Sequence, residues 1–150
     1  SSLMWEVEEI PNDHDVYIRV ALSFISKDKK PRASAFSNTP KNGTNLSCDW
    51  SKYSSPQSSR ELVGKQKKAN GDYKDSSKFY FWGMNVGSLR NDIIPVQKVI
   101  HEPKFEQPEI VGDPNNRAHS IIEGQKPEND AEFRVAMVLA GQWVIGPETE

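Results

Sequence analysis

Val16-Tyr17-Ile18-Arg19-Val20-Ala21-Leu22-Ser23-Phe24 is the stretch on which the fold class turns. Val16, Ile18, Val20, Leu22 and Phe24 fall at every second position, the period of a β-strand with one buried face. Tyr17, Arg19 and Ala21 then point the other way. The polar run Ser26-Lys27-Asp28-Lys29-Lys30-Pro31 ends the strand in a turn. Working outward, Ala33-Ser34-Ala35-Phe36 reads as a short second strand and 38–43 as a loop. Asn45 to Trp50 is a third strand, and Phe79 to Met84 is strand-like through its aromatic residues. Pro95–His101 and Ala118–Glu123 supply two more, and Trp143-Val144-Ile145 the last.

Helices are few and short. Ser55-Pro56 opens one, because a serine oxygen can accept an orphan amide and proline suits the first turn; Gly64 is its stop. Val86–Asn91 fits a helical turn. Asn129-Asp130-Ala131-Glu132 resembles a capping box before Phe133, Ala136, Met137 and Ala140, which recur at helical spacing until Gly141. Residues 65–78 form an exposed loop, and 102–117, with Pro103, Pro108, Gly112 and Pro114, a long irregular one. The expectation is one α+β domain over 1–150, mainly antiparallel sheet with two or three short helices, and residues 1–12 as a looser N-terminal segment.

Composition narrows the function. At 150 residues the chain makes one ordinary domain. The apolar share of 35% is lean, but four Trp argue for a folded core. A net charge of −2 disfavours nucleic acid as a partner. No apolar run nears the roughly 18 residues of a membrane span. The single cysteine, Cys48, excludes an intramolecular disulfide and reads as a small hydrophobe in a strand. Without a signal pattern at Ser1-Ser2-Leu3-Met4, a reduced, cytoplasmic protein is expected. The basic clusters 27–30 and 65–68 read as solvated loop tips, and the tryptophans as packing.

Candidate chemistry centres on two histidines. His101 ends one strand and His119 begins another, so pairing of the two strands would bring both imidazoles to one end of the sheet as an acid/base pair. The plainer alternative is two half-buried histidines hydrogen-bonded to loop backbone. Seventeen residues between them match no compact zinc pattern, so no metal and no cofactor is expected. Two-histidine phosphoesterases carry a hydroxyl two positions after each histidine; Pro103 and Ile121 stand there instead. Arg19, in mid-strand, could recognise an anion through its bidentate fork, or simply face solvent. Ser34, Ser47 and Asp49, on neighbouring strands, could share a ligand-binding cleft with it. No nucleophile elbow, phosphate-binding glycine loop, dinucleotide fingerprint or HExxH motif occurs.

In order, Ile10-Pro11, Val16–Val20, Ser34-Ala35-Phe36, Leu46-Ser47-Cys48-Asp49, His101-Glu102-Pro103, Asn116–Gly124 and Leu139–Val144 resemble the motifs of a group of small uncharacterised bacterial proteins. The resemblance implies a bacterial or phage origin and a site around Arg19, His101 and His119. A more distant similarity is to ADP-ribosyltransferase-like domains, in which Arg19, Ser34 and Glu123 would take the parts of first-strand arginine, middle-strand serine and later acid. Two function classes follow. One is a binding or interaction module for a protein or small molecule. The other is an enzyme acting on a phosphate-bearing or nucleotide-like substrate, with His101 and His119 as its pair and Arg19 holding the anion.

Overall fold

In a computed structural model, which describes residues 5–36, 45–105, 114–127 and 131–147, the alternating stretch forms β1, Asp15–Ala21. It runs through the middle of an antiparallel sheet. The other strands are β2 (Asn45–Trp50), β3 (Phe79–Asn85), β4 (Lys98–His101), β5 (His119–Glu123) and β6 (Gly141–Ile145). Their spatial order is β4-β5-β2-β1-β3-β6, and each neighbouring pair is antiparallel. Three short helices complete a single α+β domain: α1 (Pro56–Val63), α2 (Val86–Asn91) and α3 (Ala131–Ala140). No described helix is long and apolar enough to cross a membrane.

Strand parity sorts the residues onto two faces. Val16, Ile18 and Val20, with Cys48, Trp50, Trp82, Met84, Val99 and Ile122, join one buried core. Val86 and Leu89 of α2 and Phe133 and Met137 of α3 close that core from above, as do Ile10 and Phe36. The opposite face carries Tyr17, Arg19, Ser47, Asp49, Phe81 and His119. There α1 packs over β3 and β6, with its Val63 and Ser59 buried. The Ser55 hydroxyl accepts the Ser58 amide at the start of α1, with Pro56 in the first turn, as its sequence requires.

Two expectations change. The alternation ends at Ala21, because β1 loses its partner there (Ala21 pairs with Phe79, where β3 begins), and Leu22–Phe24 make a single 3-10 turn with Leu22 and Phe24 exposed. Ala33–Ala35 are also a 3-10 turn and not a strand; Ala35 and Phe36 reach the core from it, so Ser34 stands on a turn rather than in the sheet. In the N-terminal segment, Glu8 and Ile10 make contacts with the sheet and α2. Ile10 is buried, its carbonyl accepts an Arg90 N–H at 2.6 Å, and the Glu8 amide donates to His101 at 3.0 Å. The capping residues Asn129 and Asp130 and the loop tip 106–113 lie outside the described residues.

Gly141 does more than stop α3. It opens β6 directly, and a Cβ there would stand 2.0 Å from Trp82 Nε1, so only glycine lets the chain cross that buried indole.

Candidate functional site

β4 and β5 pair as neighbours, with His101 level with Ser120. Side chains one residue apart in a strand point to opposite faces, so His119 faces away from His101. The two imidazoles are therefore not a pair.

His101 belongs to the core side. Its ring is buried, meets Trp50 edge-on at 5.0 Å between centroids and stacks on Tyr53 at 5.9 Å. Its Nδ1 accepts the Glu8 amide, and Nε2 donates to the Arg117 carbonyl at 2.7 Å. Both ring nitrogens are committed to backbone groups. His14, on the same side, accepts the Trp50 indole N–H on Nδ1 at 2.9 Å.

His119 opens onto the opposite face, in a cleft of about 230 Å3. Parity and register build its floor. Asp49 of β2 stands between Tyr17 of β1 and His119 of β5, paired in register with each, which makes one polar row across three strands. Continuing the same β1–β2 register by one step sets Arg19 level with Ser47. One wall is α1 with the following Gln66; the other comes from Lys104 and Asn116, whose backbones pair across the base of the proline-rich loop. Ser47 is exposed to this cleft although β2 is an interior strand.

The polar groups in this cleft are held in place. Gln66 Oε1 accepts from Arg19 Nη1 at 2.8 Å and from Lys74 at 3.2 Å. Asp49 accepts the Asn116 amide at 2.8 Å, and the Asn116 side-chain oxygen in turn accepts the Ala118 N–H. His119 donates Nδ1–H to the Glu102 carbonyl at 2.8 Å, which leaves the Nε2 lone pair toward the Ser47 hydroxyl at 3.3 Å. Burial holds the His119 pKa below the ordinary histidine value, against the opposing pull of the Glu102 carbonyl.

Of the sequence candidates, Arg19, Ser47, Asp49 and His119 meet in this cleft; His101 and Ser34 do not line it, and neither does Glu123. Tyr17, Gln66, Lys104 and Asn116 line it as well and escaped the sequence reading. Tyr17 shares the parity of Arg19 and could have been found that way. The other three stand on loops, where no period exists. Cys48 lines the cleft too, but its side chain joins the opposite, core face, where burial pushes the thiol well above its ordinary pKa. Among the described residues no three His, Cys, Asp or Glu side chains converge to hold a metal ion. No protein-family model, curated protein or solved structure matches the chain.

Proposed function

We propose that this chain is a binding module for a compact, polar, negatively charged small molecule. The observation that carries the reading is the meeting of Arg19, Ser47, Asp49 and His119 in a single cleft over the interior of the sheet. Among the described residues that line the cleft, Arg19 and Lys104 bring two positive charges against the one of Asp49, which favours an anion, with the Glu102 carboxylate outside that lining. The volume lies below the roughly 300–1,000 Å3 of drug-sized sites, which favours a small ligand. Because Gln66 already orients the Arg19 guanidinium, little ordering cost remains for the anion to meet. Bacterial origin, which the ordered motifs imply, and a cytoplasmic setting, with which the single thiol agrees, belong to the same reading. Action on a phosphate-bearing or nucleotide-like substrate through a histidine pair lacks its pair, since His101 is committed on the other face.

Thermal unfolding in the presence of inorganic phosphate, succinate, adipate and adenosine monophosphate tests the reading. A ligand at 100 times its Kd adds about 2.7 kcal/mol, a rise of roughly 5–10 °C for a domain of this size. At least one of these anions should raise Tm for the native sequence and fail to do so for Arg19→Ala. No response, or an equal response in Arg19→Ala, would count against it.

A further inference from the structure

We propose that Ser47 is a nucleophile with His119 as its general base, so that the cleft hydrolyses small anionic carboxylate esters through an acyl-Ser47 intermediate. This rests on the reading of the cleft as a small-anion site and adds a reaction to it.

The tautomer carries the argument. A carbonyl oxygen can only accept, so the Glu102 carbonyl at 2.8 Å fixes the imidazole proton on Nδ1. The Nε2 lone pair then accepts the Ser47 hydroxyl proton, at a 3.3 Å separation that can tighten when substrate fills the cleft. Nucleophile, base and an orienting acceptor on the far ring nitrogen is the arrangement that acyl transfer through serine requires. The imidazolium formed on proton transfer would be met by that carbonyl, by the Glu102 carboxylate 3.7 Å from Nδ1, and by Asp49 on the adjacent strand; Lys104 opposes it. A ring whose pKa is held down by burial is unprotonated, and so able to act as base, near neutral pH.

Access and charge agree with that role. Ser47 is exposed to the cleft, while His119 behind it is buried. Arg19, level with Ser47 on the neighbouring strand, is a donor for the oxyanion; Lys104, at the loop side, is the counter-charge for a free carboxylate on the substrate.

The step balances without a cofactor. Ser47 Oγ adds to the ester carbonyl carbon as its proton passes to His119 Nε2, and the carbonyl π pair moves to oxygen. Collapse of the tetrahedral species breaks the bond to the alkoxide, which leaves with the proton from Nε2. Water then adds to the acyl carbon, gives a proton to Nε2, and Ser47 departs with that proton. The net change is ester plus water to acid plus alcohol.

Mono(4-nitrophenyl) adipate is the probe, read by nitrophenol release and by mass spectrometry with peptide mapping. The expected result is an adipoyl group on Ser47, absent in Ser47→Ala, with release slowed at least about 100-fold in His119→Gln. Release from the native sequence should rise with pH on the acid side of the ordinary histidine range and be level by neutrality, as the base loses its proton. Acylation confined to lysines, release unchanged in Ser47→Ala or in a folded His119→Gln, or a rate flat with pH would each overturn the proposal. Adipate itself separates the two readings. If it raises Tm for the native sequence and Ser47→Ala while no acyl-Ser47 forms, the reaction fails and the binding site stands. If no anion raises Tm, the binding reading fails as well.

Discussion

At His101, one ring nitrogen accepts the Glu8 amide, the other donates to the Arg117 carbonyl, and the ring fills the space beside Trp50 and Tyr53. Truncation would leave both backbone groups without that partner and open a void beside two aromatic rings. His101→Ala should therefore lose about 2–4 kcal/mol in urea unfolding, with no effect on anion binding. A loss below about 1 kcal/mol would show that the ring does not hold the N-terminal segment. Strand parity made half of this legible in the sequence, since His101 shares a face with Val99 and His119 with Ile121. Whether the two histidines share a face with each other depends on the register between strands. A connection of seventeen residues leaves that register open, because no two-residue turn fixes it.

Among the elements, those with strong local signals were readable to within a residue or so. Asn45–Trp50 and the Ser55-capped helix ending before Gly64 are examples. The failures occur where a pattern continues past its partner. Leu22 and Phe24 keep the period of β1 after β3 has run out, so alternation persists where no ladder does. Ala33-Ser34-Ala35-Phe36 is too short for a period to separate a strand from a 3-10 turn. Gly141 looked like an ordinary helix stop, and its tertiary demand was invisible because Trp82 lies 59 residues earlier in the chain. The Trp82 indole is buried and donates to the Met137 carbonyl at 3.3 Å, so it cannot yield freely to a methyl group. Gly141→Ala should cost about 3 kcal/mol, the upper end of ordinary overpacking, in the same unfolding assay. An unchanged midpoint would mean that β6 can shift away from Trp82.

Across the whole molecule, one sheet separates two kinds of work. The face against α2 and α3 is apolar and holds the fold together, with His101 among its committed groups. On the other face α1 covers the β3 and β6 side, and the polar residues of β1, β2 and β5 gather in the cleft beside it. Arg19, Ser47, Asp49 and His119 were each legible as candidates from mid-strand or strand-end positions. Their convergence needed the strand order β5-β2-β1, which three sequence-distant segments create and no local signal states. The long-range 1H–15N spectrum of the three imidazoles near neutral pH, with and without adipate, tests this division most directly. The proton should lie on Nδ1 in His119 and on Nε2 in His101 and His14, with adipate moving the His119 signals alone. A proton on Nε2 of His119, or ligand shifts at His101 in its place, would contradict it.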